Sequence, residues 1–387
     1  MIPRWLELSS ERSCLVVGPR RAGKTTLLRN LFADLPYLTL DDYDLLRLAR
    51  SDPKKLVRMV GERGILDEVQ RVPELLVAVK YGIDELGQTI LMTGSSSLGL
   101  TSAGSETLAG RIDLHECSAF CWGEEEGPPS HRSLHMPPDP LAVVEANRRL
   151  DSFMVFGGFP EVVLEPDSPG KSRVLRNYRN TYFTRDLLLL ANINNADAML
   201  ALLAYLSVST GTPLDVSNAA RESGISYPTT RKYLNVLLAS RLVFKLYGYQ
   251  YGPAKRYTRA AKYYFSDMGI YEATTVPLSP GQRLEAFVVS ELEKRRKLGA
   301  LACDNLFYYR SAAGAEIDVI IEEPELLTAV EIKHTRRPVS RDTRRLREFR
   351  AQAAEKPRRA VLLYPGEEAG ELDGVEILPV GHLWRSL

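Results

Sequence analysis

At 387 residues the chain is longer than one ordinary core supports, so about two to four domains are expected. Its composition, 44% hydrophobic and 26% charged, is that of a soluble globular protein, and a formal net charge of +1 excludes affinity for polyanions through overall charge. Any nucleic-acid surface therefore has to be local. No apolar run reaches membrane-spanning length, Met1-Ile2-Pro3-Arg4-Trp5 does not read as a signal peptide, and four cysteines fit a reducing compartment better than a disulfide framework. The expectation is a cytoplasmic protein with no membrane partner.

The first expected elements are an apolar strand, Cys14-Leu15-Val16-Val17, and a helix starting near Thr26. Between them Gly18-Pro19-Arg20-Arg21-Ala22-Gly23-Lys24-Thr25-Thr26 fits the phosphate-binding pattern G-x-x-x-x-G-K-[ST] in full. Glycines let the backbone curl so that consecutive N–H groups face phosphate oxygens, and the helix N-terminus adds partial positive charge there. Lys24 would reach the β- and γ-phosphates of ATP, and the Thr25 hydroxyl would ligate Mg²⁺. The plainer alternative is a Gly-rich strand-to-helix turn.

Strands are expected next at 37–40, 63–67, 89–93 and 111–115, alternating with helical patterns, which indicates a parallel α/β domain. Gly64-Ile65-Leu66-Asp67-Glu68 ends a strand in two acids, a Walker B signature. Asp67 would hold Mg²⁺ through water or Thr25, and Glu68 would orient and polarise the attacking water. Thr89-Ile90-Leu91-Met92-Thr93 opens into Gly94-Ser95-Ser96-Ser97, so Thr93 or Ser95 could read the γ-phosphate, or simply form a polar turn. Arg111, before the last strand, is a candidate arginine finger for a neighbouring subunit, or else a surface ion-pair partner. Cys117, Cys121, His131 and His135 have loosely zinc-like spacing, with coincidence as the other reading.

Taken together, Gly18–Thr26, Leu66-Asp67-Glu68-Val69-Gln70-Arg71-Val72-Pro73, Met92-Thr93-Gly94-Ser95-Ser96-Ser97, Leu108-Ala109-Gly110-Arg111 and Gly157-Gly158-Phe159-Pro160 resemble a widespread prokaryotic family of AAA-like ATPases. The resemblance implies additional-strand topology, in which the Walker B strand does not neighbour the P-loop strand. It also implies a C-terminal region with a winged helix and a restriction-endonuclease-like fold, and no settled substrate. The loop from Glu124-Glu125-Glu126-Gly127-Pro128-Pro129 to Pro137-Pro138-Asp139-Pro140 departs from the family pattern and reads as a flexible insertion.

From Leu141 to about Asn195 the pattern is helical, with Tyr178, Tyr182, Arg185 and Asp186 at helical spacing. This reads as a lid presenting Arg185 to a nucleotide, or as a packed helix with a charge pair. Residues 197–265 read as a winged helix: helices at 198–207, 215–222 and 227–240, then a hairpin around Gly252-Pro253. The third helix would expose Tyr227, Thr229, Thr230, Arg231 and Lys232, and the wing Lys255, Arg256 and Arg259. Such chemistry suits DNA phosphates and groove edges, although these modules also bind proteins.

In the last domain Glu285 falls on a helix, Gly314–Ile321 and Thr328–Lys333 on strands. Residues two apart on a strand share a face, so Glu331 projects with Lys333, and Asp318 with Glu316. This resembles the PD-(D/E)xK nuclease core. The resemblance implies Asp318, Glu331 and the helix carboxylate Glu285 as Mg²⁺ ligands and Lys333 as the residue assisting the water nucleophile. A decayed nuclease fold kept for structure or docking would retain the same alternation. The basic run Lys333-His334-Thr335-Arg336-Arg337 through Arg341, Arg344, Arg345 and Arg347 could follow a phosphate backbone or be a solvated face.

The fold expected is α/β: a parallel-sheet P-loop (AAA-like) ATPase core at 1–122, a flexible Pro-rich loop at 123–140, a helical lid or linker at 141–196, a winged helix at 197–265, and an α/β restriction-endonuclease-like domain at 266–387. The function expected is ATP hydrolysis coupled to a DNA-directed module, with Mg-dependent DNA cleavage as an extension. A nucleotide switch with protein partners at the winged helix, and a DNA motor, are the rivals. DNA, a homo-oligomer and a protein partner are the interactions this admits.

Overall fold

The computed structural model describes residues 2–95, 108–130, 139–187, 195–249, 256, 260–311, 314–352 and 356–387, without the side chains of 184–186. Ser96, Ser97, His131, His135, Gly252, Pro253, Lys255 and Arg259, and the Arg185 and Asp186 side chains, lie outside the described residues.

The N-terminal unit is built from β1 (Cys14–Val17), α1 (Lys24–Leu31), β2 (Tyr37–Thr39), α2 (Tyr43–Ser51), α3 (Pro53–Met59), β3 (Arg63–Asp67), α4 (Leu75–Leu86), β4 (Thr89–Gly94) and β5 (Asp113–Glu116). Its strands form one sheet in the order β2-β3-β4-β1-β5, with all neighbours parallel. The Walker B strand β3 is thus separated from β1 by β4, as the resemblance implied. All four residues of β1 are buried, because a central parallel strand is covered on both faces. Period-two alternation sorts the strand residues: Leu15, Val17, Leu66 and Met92 pack on one side, Cys14, Val16, Ile65 and Leu91 on the other. Local signals place the helices. Asp42 caps α2 by accepting from the Asp44 and Leu45 N–H groups, Pro53 opens α3 behind its cap Asp52, and Gly87 ends α4.

The rest of the chain adds α5 (Pro140–Phe156), α6 (Pro160–Leu164), α7 (Ser168–Tyr178), α8 (Ala196–Val208), α9 (Val216–Glu222), α10 (Tyr227–Ala239), β6 (Val243–Gly248), β7 (Lys262–Phe265), α11 (Met268–Thr274) and α12 (Pro280–Lys297). Then follow β8 (Leu306–Arg310), β9 (Glu316–Glu322), β10 (Leu327–Ile332), α13 (Ser340–Ala351), β11 (Arg358–Tyr364), β12 (Gly370–Leu372) and β13 (Val375–Pro379). The second sheet runs β12-β13-β11-β10-β9-β8-β6-β7. The antiparallel pair β6–β7 is therefore not a free hairpin, since β6 also pairs with β8 through Tyr247 and Gly248.

One hydrophobic core reaches across these elements, from Trp122, Phe153 and Phe183 through Leu202, Leu237 and Leu246 to Phe287, Val319 and Trp384. Glu124, at the head of the stretch expected to be a flexible loop, is 1% exposed. Its carboxylate accepts from Arg4, Trp5 and Cys121, which fixes this turn against the P-loop unit. Among the described residues no helix is long and apolar enough to cross a membrane.

Candidate functional site

The P-loop lies at the C-terminal edge of the first sheet, where parallel strands aim their ends at a ligand. Its curvature depends on glycine. A Cβ on Gly18 would stand 2.0 Å from the Cys117 carbonyl oxygen, and Gly23 sits at φ 91°. No side chain caps α1, so its first-turn N–H groups face the loop. Lys24 is buried, and its Nζ donates to the Gly18 and Pro19 carbonyls at 3.0 and 2.9 Å, spanning the loop that phosphates would fill.

Register brings the second half of the site alongside. Thr25 Oγ1 donates to Asp67 Oδ1 at 2.9 Å. Tyr37 and Thr39, one face of β2, donate to Asp67 Oδ2 at 2.7 and 3.4 Å, and Thr93 donates to Oδ1. Glu68 follows at φ 61°, a left-handed conformation that costs a non-glycine residue about 1–3 kcal/mol and clusters at functional sites. Its N–H donates to Thr93 Oγ1 at 3.2 Å, and Gln70 Nε2 donates to its carboxylate and to Ser95 Oγ. Thr93 thus joins the two acids directly, and Ser95 reaches Glu68 through Gln70. Burial pushes the Lys24 ammonium down, offset in part by Glu68, and pushes the Glu68 carboxyl up, offset in part by Lys24. Tyr37, Thr39 and Gln70 were not singled out from sequence. For Tyr37 and Thr39 the i, i+2 spacing on β2 was the signal, and for Gln70 its place two residues after Glu68 in the quoted motif.

A hydroxyl and a carboxylate in contact below a phosphate loop fit Mg²⁺, whose other ligands would be phosphate oxygens and water. Arg20 and Thr26 are exposed, and Arg21 pairs with Glu161 of α6 at 2.8 Å. Arg111 stands apart. It precedes β5, at the edge of the sheet opposite the P-loop, and forms an ion pair with Asp84 at 2.8 Å.

A buried polar bridge ties this site to the remainder of the molecule. Arg4 donates to the Ala22 carbonyl of the P-loop at 2.8 Å, to the Ser118 carbonyl at 2.7 Å and to Glu124 at 2.7 Å. Two residues after Phe120, the Trp122 N–H donates to Glu291 of α12 at 2.8 Å. Glu291 pairs with Lys294 and Arg295, and Lys294 also reaches Asp267 and the Phe120 carbonyl, both at 2.9 Å. Asp267 in turn accepts from the Gly158 N–H at 3.0 Å. The turn Gly157-Gly158 is glycine because a Cβ would meet Asp267 Oδ1 at 1.9 Å or the Phe120 carbonyl at 2.3 Å.

On α10, Tyr227, Arg231 and Lys232 are exposed and Thr229 is half-buried. Thr230 is fully buried and donates to the Ser226 carbonyl, so it does not belong to that exposed face. Tyr227, Arg231 and Asn235 of α10 with Lys245, Tyr247 and Tyr263 of the hairpin line a cleft of about 660 Å³. Arg256 has a different setting. It makes a bidentate pair with Glu322 at 2.5 and 3.0 Å and stacks over the Tyr249 and Phe307 rings. Its partner lies 66 residues on, beyond the reach of local pattern reading.

The C-terminal acids gather at the seam between α12, β7 and β9–β10. Glu331 is 1% exposed and pairs with Lys333 at 2.6 Å and Arg345 at 3.5 Å. Asp318 Oδ2 accepts the Ile332 N–H at 2.7 Å. Glu285 accepts Tyr264 Oη–H at 2.6 Å. Lys262 Nζ enters the same cluster, 2.5 Å from Glu316 and 3.7 Å from Glu285. Among the described residues no three His, Cys, Asp or Glu side chains stand as a metal cage. That applies to Glu285, Asp318 and Glu331, and to Cys117 and Cys121, whose histidine counterparts are not described. Both of those thiols are buried.

The N-terminal fold and site define an AAA-type P-loop domain, and residues 10–125 match the family model described as "AAA domain". Residues 147–279 and 280–383 match two models described as "Domain of unknown function", DUF8612 and DUF4143. An uncharacterized protein of Mycobacterium tuberculosis is 28% identical over 387 residues, covering 95% of this chain and 80% of that one. One of Methanocaldococcus jannaschii is 25% identical over 347 residues, covering 83% and 75%. Among solved structures, a Signal Transduction ATPase with Numerous Domains (STAND) protein with a tetratricopeptide repeat sensor from Pyrococcus horikoshii is 13% identical, with a TM-score of 0.22. The likeness covers 76% of this chain and 46% of that protein, and at that score carries no argument.

Proposed function

We propose that the chain binds ATP with Mg²⁺, hydrolyses it, and couples hydrolysis to a DNA-directed module. The observation that carries the first part is the 2.9 Å contact between Thr25 of the P-loop and Asp67 at the end of β3, with Lys24 folded into the same loop. On nucleotide binding the Lys24 ammonium exchanges the Gly18 and Pro19 carbonyls for β- and γ-phosphate oxygens. Thr25 and Asp67 would hold Mg²⁺, which would neutralise phosphate charge. Glu68, held in place by Gln70 and Thr93, orients the attacking water. Arg111 lies at the far edge of its own sheet, so a finger role requires a second copy of the chain.

The DNA-directed part rests on α8, α9, α10 and the β6–β7 pair, taken as a winged helix. Arg231 and Lys245 give its cleft two cations, with the rings of Tyr227, Tyr247 and Tyr263 around them. The two arginines differ in setting and so in expected effect. Arg231→Ala weakens duplex DNA binding and lowers the salt slope by about one, measured by titration across salt concentrations. Arg256→Ala leaves the salt slope unchanged and lowers thermal stability, because Glu322 loses a bidentate partner. An equal loss of DNA affinity in both variants would contradict this surface. ATP turnover measured with single-stranded, duplex and branched DNA tests the coupling: stimulation is expected, lost in Arg231→Ala.

A second reading is favoured by the bridge from the Ala22 carbonyl through Arg4, Glu124 and Glu291. It offers a rigid path from P-loop to α12, suited to a nucleotide switch with protein partners. Tight ATP binding with slow turnover that DNA does not alter would select it.

A further inference from the structure

The acidic cluster of the second sheet already holds a cation, and it is a side chain. Lys262 is 0% exposed, and its ammonium lies 2.5 Å from Glu316 Oε1 and 3.7 Å from Glu285 Oε1, over the Tyr308 ring at 5.2 Å. Lys262 and Tyr264 are two apart on β7 and so share a face. Both reach Glu285, the ammonium at 3.7 Å and the phenol at 2.6 Å, both on Oε1. The other oxygen, Oε2, lies against Gly211, where an added Cβ would stand 2.8 Å from it.

The other acids are engaged as well. Asp318 Oδ2 accepts a backbone N–H, and Glu331 Oε1 is ion-paired with Lys333 and Arg345, while Glu331 Oε2 is buried with no hydrogen-bond partner among the described residues. A divalent ion such as Mg²⁺ demands near-octahedral oxygen donors at about 2.0–2.1 Å and retains several waters. Here Glu316 Oε1, Glu285 Oε1, Glu331 Oε1 and Asp318 Oδ2 face ammoniums, a phenol, a guanidinium and a backbone amide, so four of the oxygens an ion would use are already turned to other donors. Removing a buried carboxylate's cation without replacing its charge is costly, so an ion could enter only as the lysine left.

We propose that Lys262 is the resident cation of this cluster, standing where the metal of a PD-(D/E)xK site would, so that the folded chain takes no Mg²⁺ or Mn²⁺ there. The cluster then works as an ionic latch, holding the edge strand β7 against α12 and β9. It stands independently of the nucleotide reading, because neither Lys262 nor its partners touch the P-loop.

The test is Mn²⁺ binding to the full chain without nucleotide, read from the loss of the free-ion electron paramagnetic resonance signal. Wild type and Asp318→Asn are expected to bind Mn²⁺ identically. Lys262→Met is expected to gain one Mn²⁺ per chain, lost again in Lys262→Met/Asp318→Asn. Its thermal midpoint should rise on adding Mn²⁺, whereas that of wild type should not. Asp318-dependent Mn²⁺ binding by wild type would overturn the proposal. So would a Lys262→Met variant that unfolds as cooperatively as wild type yet gains no ion. Should Lys262→Met fail to fold, the comparison of wild type with Asp318→Asn decides alone.

Discussion

Glu68→Gln is expected to bind ATP and to lose turnover by about 10²–10⁴-fold, the usual contribution of a positioned base. The substitution preserves size and the oxygen that accepts from Gln70, so the loop and its left-handed backbone stay in place. What is lost is the negative charge beside the attacking water. Asp67→Asn, by contrast, removes the charge against which Thr25, Tyr37, Thr39 and Thr93 converge, and should weaken Mg²⁺-ATP binding itself. Separate measurement of nucleotide affinity and turnover distinguishes the two. Equal loss of binding in both variants would show that Glu68 is not the group that orients the water.

Glu291→Ala is expected to destabilise the fold by about 3–5 kcal/mol, the effect of leaving buried charges without a partner. Glu291 is 0% exposed, and its loss takes from Arg295 its carboxylate, leaves Lys294 with Asp267 as counter-ion, and removes the acceptor of the Trp122 N–H. Urea denaturation reads the effect, and a change below about 1 kcal/mol would show the bridge to be incidental. The same group sets an acid limit. Burial pushes the Glu291 carboxyl up, but Lys294, Arg295 and the Trp122 N–H outweigh it and hold the carboxyl below the ordinary range. A depressed carboxyl contributes stability that is full above its unfolded value of about 4.3 and is lost as pH falls through the folded one. Wild type should therefore lose stability on acidification below about pH 4, and Glu291→Ala should lose less.

The nucleotide site was readable because its chemistry is local. Gly18 to Thr26 is one continuous loop and helix start, and Asp67-Glu68 end an apolar strand, so each half of the site lies in its own short window together with its secondary structure. The three helices and two strands after residue 196 were readable for a similar reason, since caps such as Asp215 and Ser226 announce their helices. What could not be read is made by pairs far apart in sequence. Arg4 meets Glu124 across 120 positions, and Trp122 meets Glu291 across 169. Arg256, expected on the wing, is paired with Glu322 across 66 positions. Lys262 carries no signal of its own in the sequence; the pairing of β6 with β8 carries β7 to the acids. In each case the alternation of residue types was right, and the partner across the fold decided the role.

The proposed function turns on ATP being bound and hydrolysed at the loop holding Lys24. ATP affinity and Mg²⁺-dependent phosphate release, measured for wild type and Lys24→Ala in parallel, decide it. Wild type is expected to bind and turn over ATP. Lys24→Ala is expected to do neither, while retaining the thermal midpoint of the nucleotide-free protein to within a few degrees. Undiminished ATP hydrolysis by a folded Lys24→Ala variant would contradict the assignment.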